Sequence, residues 1–143
     1  MINFPLPRID LDDELRDMLL PYSRFKKGKI WNDHLGKHKI GCLDAADPAN
    51  LKKLFGTEKA KLAVHDPPYN FIAFRESQSE EFANWCRIWI KNTYDILEKN
   101  SAMYIWLGAD QNNNFQPLAD FIMMMKDSGF SSRSFITMRN QRG

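Results

Sequence analysis

Apolar residues recur at three- and four-residue intervals in four segments, and this spacing predicts four helices. The ends of the segments carry the expected signals, which are Asp, Ser or Asn at the start and Pro or Gly at the stop. The predicted helices cover residues 10–21, 47–56 and 80–98, and a last one starts at Asn113 or Asn114, has Pro117 in its first turn and stops at Gly129. Trp85 and Trp89 share a face of the third helix, and we expect that face to be buried.

Short apolar runs between these helices predict strands. They cover residues 40–44, 62–65, 101–107 and 134–138. The runs at 62–65 and 101–107 suit strands that are buried on both faces, as in a parallel sheet. Alternating strands and helices indicate an α/β fold, with a mainly parallel sheet and helices on both faces. A parallel sheet of about four strands leaves an edge that should be covered, so we expect a larger domain.

The distribution of charge along the chain is more informative about function than the net charge. The chain has 143 residues and a net charge of +2, which by itself does not argue for nucleic acid. Residues 22–39, however, contain six Lys or Arg side chains against the single acidic Asp33, and two glycines interrupt them. This segment is predicted to be a basic loop or hairpin, which either contacts phosphates or is a solvated loop.

The remaining composition restricts the class of protein. Cys42 and Cys86 lie far apart with no Cys or His cluster around them, so we expect buried free thiols and no metal site. The chain starts without a signal-peptide pattern, and no apolar stretch is long enough to cross a membrane. A soluble, cytoplasmic protein with no membrane partner is therefore expected.

The most informative segment is Asp66-Pro67-Pro68-Tyr69, which directly follows the predicted strand at 62–65. Ligands of open α/β sheets bind outside the carboxyl ends of the strands. The two prolines stiffen the backbone and remove two amide donors, so the Asp66 side chain and the Pro67 carbonyl are left as acceptors. Tyr69 adds a flat ring to this group.

Two acceptors and a ring suit the exocyclic amine of adenine, whose lone pair is delocalised into the base. The acceptors can hold both N–H groups and turn the lone pair toward an incoming methyl group, while the ring stacks on the base. The alternative is that these residues form only a strand-ending turn. The preceding His65 could act as a general base, but its place in an apolar strand favours a buried, hydrogen-bonded histidine.

Asp66-Pro67-Pro68-Tyr69 followed by Asn70 resembles the catalytic motif of S-adenosylmethionine-dependent DNA amino-methyltransferases of the adenine-specific type. Asp44 followed by Ala45 resembles the acidic motif that this family places near the adenosine of the cofactor. Residues 101–108 and 135–140 resemble the family's next strand and its closing strand beside the base pocket.

The resemblance implies a Rossmann-like methyltransferase fold, S-adenosylmethionine as cofactor and double-stranded DNA as partner, with the target base flipped out of the duplex. Catalytic roles are implied for Asp66, Pro67, Pro68 and Tyr69, cofactor binding for Asp44, Ala45 and Asp66, and substrate binding for Tyr69, Asn70 and Phe71. Phe71 would close over the base or cofactor, or else pack beneath the loop.

The sequence departs from the family pattern in three respects. The Phe-x-Gly-x-Gly cofactor loop and the target-recognition region are absent, and Leu43 stands where the pattern has Gly before Asp44. We therefore expect an arm, short helix and basic segment over residues 1–39, followed by an incomplete catalytic part over 40–143. The remainder would be a missing C-terminal half or a second subunit, and this chain would be inactive alone.

Other acceptors and roles stay open. These are the exocyclic amine of cytosine, an RNA base, a protein glutamine, and a non-catalytic fragment that needs a partner half.

Overall fold

A computed structural model describes residues 12–23, 25–67, 79–109 and 114–138. The chain divides into two compact units, one ending at Leu43 and the other beginning at Asp44. Within the described ranges no helix is both long enough and apolar enough to span a bilayer.

The first unit opens with helix α1, Asp13–Leu19. Its start is stabilised by Asp12, whose side chain accepts the N–H of Leu15 at 2.9 Å. A 3₁₀ turn, Leu20–Tyr22, follows directly and carries Pro21 in its first turn. The α-helix therefore ends before Pro21, as the sequence predicted.

A hairpin completes the first unit. Strands β1, Ile30–Asn32, and β2, Lys39–Gly41, pair antiparallel. The connection is held by Asp33, whose carboxylate accepts the N–H groups of Lys37 and His38 at 2.7 and 3.0 Å. The basic segment, residues 22–39, was predicted to be a loop or a hairpin. It contains β1, the turn and the first residue of β2, so the hairpin is the form observed.

The predicted strand at residues 40–44 is wrong in extent and in partner. Its first residues belong to β2 and pair with β1 in the hairpin. Beyond β2, Cys42 continues the ladder, because its N–H donates to the Lys29 carbonyl at 3.0 Å and its carbonyl accepts the Gly28 N–H at 2.8 Å. The hydrogen-bonding groups of this segment are thus used locally, and it does not join a parallel sheet.

The second unit begins with helix α2, Pro48–Phe55. Asp47 caps it by accepting the N–H of Ala49 at 2.9 Å, and Pro48 occupies the first turn. Gly56 ends it with a φ of 62°, a conformation that glycine adopts without a steric penalty. These bounds confirm the predicted helix.

A parallel pair of strands lies at the centre of this unit. Strand β3, Ala60–His65, pairs with β4, Leu97–Ile105, and helix α3, Ser79–Ile96, connects them. The regular register pairs Leu62 with Ala102 and His65 with Ile105. β4 starts at Leu97 rather than at the predicted residue 101, with an irregular register before Leu62.

Helices cover one face of this pair. The core consists of α3 side chains and of side chains from helix α4, Leu118–Met125. Its buried members are Phe82, Cys86, Trp89, Ile90, Phe121 and Met124, and Met103, Ile105 and Leu107 of β4 and the residues after it pack against them. The buried face predicted for α3 is therefore confirmed.

The strands are not buried on both faces, which corrects the prediction for residues 62–65 and 101–107. Successive side chains of a strand point to opposite faces. Leu62, Val64, Tyr104 and Trp106 are 52–69% exposed, whereas their neighbours along the chain are partly buried under the helices. The two helices of the buried core, α3 and α4, pack on the opposite face, against Met103, Ile105 and Leu107.

Two predictions near the end of the chain are also wrong. Helix α4 starts at Leu118 rather than at Asn113 or Asn114, because Asn114 and Phe115 have positive φ angles of 50° and 60° that do not fit a helix. Residues 134–138 are irregular and exposed rather than a strand, and no described strand pairs with them. The parallel sheet of the described residues therefore has two strands instead of four.

Candidate functional site

Asp66 and Pro67 follow the carboxyl end of β3. The strand is anchored there by the main chain, since the carbonyl of His65 accepts the N–H of Trp106 at 2.8 Å. Asp66 itself is exposed and Pro67 is partly buried. The described backbone places this pair just after the carboxyl end of a parallel strand, as the sequence predicted, and ligand binding at this edge stays a prediction.

His65 is held from the side of α3. Its Nε2 lies 3.1 Å from the Thr93 hydroxyl, and that hydroxyl donates to the Trp89 carbonyl at 2.8 Å. Because the single hydroxyl proton of Thr93 is used in this way, the His65 Nε2–H is the donor of the first bond. The imidazole also packs on Trp89, with ring centroids 4.8 Å apart.

This environment decides the role of His65. Burial lowers the pKa of the imidazole from its usual 6.5, so the neutral form is favoured at neutral pH. The polar atom that faces α3 is satisfied by Thr93. A partly buried, hydrogen-bonded histidine is therefore confirmed, in place of an exposed general base.

Asp44 and Ala45 form the turn that leads into α2. The Asp44 carboxylate accepts the N–H of Ala46 at 2.9 Å, and its carbonyl accepts the side-chain amide of Asn50 at 3.2 Å. Such local bonds are typical of an aspartate that shapes a turn. Asp44 itself remains exposed.

Asn92 was missed by the sequence analysis. It is only 8% exposed, and its Nδ2 donates to the Ala45 carbonyl at 3.0 Å. The neighbouring Thr93 is 2% exposed and contacts His65. The available signal was a pair of polar residues one turn beyond Trp89 on the apolar face of α3, which needed partners inside the fold.

A cavity of about 190 Å³ is lined by residues of both segments that Asn92 and Thr93 contact, Ala45 and strand β3. Ala45, His65 and Thr93 line it together with apolar side chains of α2 and β3. A larger cavity of about 260 Å³ lies between α2 and α3. Asp44 and Asp66 line neither of these two cavities. Neither cavity by itself therefore encloses the candidate residues.

Four candidate residues, Pro68, Tyr69, Asn70 and Phe71, lie outside the described residues. In the second unit, Ala45 and His65, the residue before Asp66, contact adjacent residues of α3. Across the described ranges there is no group of three His, Cys, Asp or Glu side chains that could hold a metal ion.

Cys86 is not a candidate nucleophile. Its side chain is fully buried, and burial raises the pKa of the thiol to about 12, so the reactive thiolate is disfavoured. The prediction of a buried free thiol is confirmed for Cys86, whereas Cys42 is partly exposed.

Comparison with known proteins agrees with the motif. The DNA methylase family matches residues 60–143, which is more than half of the chain. The chain is also 27% identical over 120 residues to the Type II methyltransferase M.MjaVI of Methanocaldococcus jannaschii. That match covers 79% of this chain and 59% of the archaeal protein, so the chain spans about three-fifths of the relative's length.

No solved structure matches the chain significantly. The family match nevertheless includes β3, the Asp66–Pro67 segment, α3, β4 and α4. On the strength of this match and of the motif at the carboxyl end of β3, the chain belongs to the DNA methylase family.

Proposed function

We propose that the protein transfers a methyl group from S-adenosylmethionine to the exocyclic amine of adenine in double-stranded DNA. The observation that carries this proposal is Asp66-Pro67 at the carboxyl end of a parallel strand, within a segment that matches the DNA methylase family. The similarity to an archaeal protein named as a Type II methyltransferase supports it. A Rossmann-like sheet with helices on both faces is part of the same proposal.

The proposed chemistry depends on alignment. The carboxylate of Asp66 and the carbonyl of Pro67 accept the two N–H groups of the amine, so its lone pair points toward the methyl donor. Tyr69 stacks on the base after it has left the duplex, and Asn70 and Phe71 contact it. Pro68 stiffens the turn that holds these groups. Asp66 is exposed, as a group that receives a base from outside must be.

The described residues fit the cofactor in part. S-adenosylmethionine supplies an activated methyl group when bound, and the exposed carboxylate of Asp44 is suited to accept a ribose hydroxyl. The cavity beside Ala45 holds only about 190 Å³. Pockets for ligands of this size occupy at least about 300 Å³, so this cavity by itself is too small to enclose the cofactor.

The test is methyl transfer by the complete reading frame that encodes these residues. Labelled S-adenosylmethionine and duplex DNA are incubated with the protein, and the DNA is digested to nucleosides. The Asp66→Ala variant should lose activity by about 10²–10³-fold, the effect of removing one aligned acceptor. Asp127→Ala is the matched control, because Asp127 is an exposed aspartate beyond the end of α4.

The possible outcomes test separately the methylated base, the class of substrate and the role of Asp66. Label in methyladenine supports it, and label in methylcytosine keeps the reaction but changes the base. Label in RNA or protein alone would overturn DNA as the substrate. Full activity of Asp66→Ala, with an unchanged unfolding midpoint, would overturn the catalytic role of Asp66.

A further inference from the structure

One turn of α3 contacts both segments that carry candidate site residues. Asn92 donates to the Ala45 carbonyl at 3.0 Å, and Thr93 contacts the His65 imidazole at 3.1 Å. Consecutive residues of a helix are rotated by about 100° from each other. Adjacent side chains of this turn can therefore reach two different segments at once.

We propose that Asn92 and Thr93 are positioning residues of the methyl-transfer site, Asn92 for the Asp44–Ala45 turn and Thr93, through His65, for Asp66. The inference rests on the proposed function. In this proposal, helix α3 alone fixes the distance between the Asp44–Ala45 turn, which binds the cofactor, and Asp66, which accepts an N–H of the substrate amine.

Burial makes the loss of either contact, Asn92 to Ala45 or Thr93 to His65, costly. Thr93 is 2% exposed and Asn92 is 8% exposed, so water does not replace a lost partner easily. The Thr93 hydroxyl is also fixed by its bond to the Trp89 carbonyl. His65 is then held at three places, by Thr93, by the Trp89 ring and by the main-chain bond from Trp106. Asp66 is the next residue along the chain.

The two contacts should have separable effects on the reaction. Thr93→Val keeps the shape but removes the hydroxyl, so His65 loses its partner and Asp66 becomes less well aligned. We expect kcat to fall by about 10–100-fold, since small displacements of an aligned group are costly. The KM for S-adenosylmethionine should change less than kcat, within about twofold, because two of the three proposed cofactor-binding residues, Asp44 and Ala45, keep their own anchor.

Asn92→Leu should show the opposite pattern. Without the amide, the Ala45 carbonyl loses its donor and the Asp44–Ala45 turn loosens. We expect the KM for S-adenosylmethionine to rise by about fivefold, the scale of one hydrogen bond, with kcat nearly unchanged.

Two further variants serve as controls. Thr93→Ser retains the hydroxyl and should restore kcat. Asn84→Leu makes the same substitution as Asn92→Leu at an exposed position of α3 and should change neither parameter.

Hydrogen exchange on the same proteins tests the contacts without relying on activity. Thr93→Val should speed exchange in residues 60–67, and Asn92→Leu should speed it in residues 44–50. Such selective exchange together with the kcat and KM split supports the proposal. Equal loosening of both segments, or equal losses in kcat and KM for both variants, would overturn it.

The design also separates this inference from the proposed function. If the unmodified protein labels no DNA, the proposed function fails. Hydrogen exchange then still tests whether Asn92 and Thr93 anchor the two segments. Selective exchange supports this anchoring, and equal exchange in both segments contradicts it.

Discussion

At the scale of single residues, His65 shows how packing settles an ambiguity in the sequence. It immediately precedes Asp66, which makes it a plausible general base. In the fold its ring lies on Trp89 and its Nε2–H is used by Thr93. Burial lowers its pKa, so its contribution is a fixed neutral side chain at the end of β3.

This environment predicts a pH dependence of stability. Because the pKa of His65 is lower in the folded chain than the ordinary 6.5, the unfolded state binds a proton more readily. The stabilisation is fully present above pH 6.5 and is lost as the pH falls through the folded pKa. Urea unfolding at about pH 7.5 and about pH 5.5 should give a lower free energy of unfolding at the acid pH.

A variant isolates the contribution of His65. His65→Gln cannot titrate, so its free energy of unfolding should change less between the two pH values than that of the unmodified chain. His34→Gln is the matched control, because His34 is exposed in the hairpin. An unchanged pH dependence in His65→Gln would contradict the assignment.

At the scale of elements, α2 followed its local signals closely, whereas α4 starts later than its signals indicated. α2 begins and ends where Asp47, Pro48 and Gly56 indicated, because caps and turn conformations are properties of a few adjacent residues. The strands agreed less well with the prediction from their local sequence. Residues 134–138 have strand-like composition but are irregular, since a strand also needs a partner along its edge.

The cap of α2 provides a prediction at this scale. Asp47→Ala removes the acceptor of the Ala49 N–H and should lower the free energy of unfolding by about 1 kcal/mol. Chemical denaturation measures this directly. The same substitution at Asp127, beyond the end of α4, should have a smaller effect, and equal effects would argue against capping by Asp47.

At the scale of the whole molecule, the described residues contain part of the proposed site. They contain the acceptor segment at β3 and an exposed Asp44, but the cavity beside them is small. The chain matches 59% of its archaeal relative. Leu62, Val64, Tyr104 and Trp106 also leave one face of the parallel pair exposed.

These features predict weak cofactor binding by residues 1–143 alone. Titration calorimetry with S-adenosylmethionine should give a dissociation constant at least about tenfold larger than that of a DNA methylase that carries the Phe-x-Gly-x-Gly loop, because a shallow site buries less of the ligand. Circular dichroism of both proteins serves as the folding control. Equally tight binding would show that the missing Phe-x-Gly-x-Gly loop is not needed.

The sequence by itself determined the features that depend on neighbouring residues. It located α2, the long α3, the basic hairpin and the Asp66-Pro67 segment after a strand, because caps, prolines and helical spacing act over a few positions. It also carried the motif by which the family was identified. Each of these can be found without knowing which segments meet in space.

Only the tertiary structure decided which distant groups became partners. Thr93 and His65 are 28 positions apart, and Asn92 and Ala45 are 47 apart, so no local pattern links them. The same holds for the pairing of β2 with β1 and for the exposed face of β3 and β4. The physical reason is that hydrogen-bond partners and burial are set by packing between segments, whereas capping and periodicity are set within them.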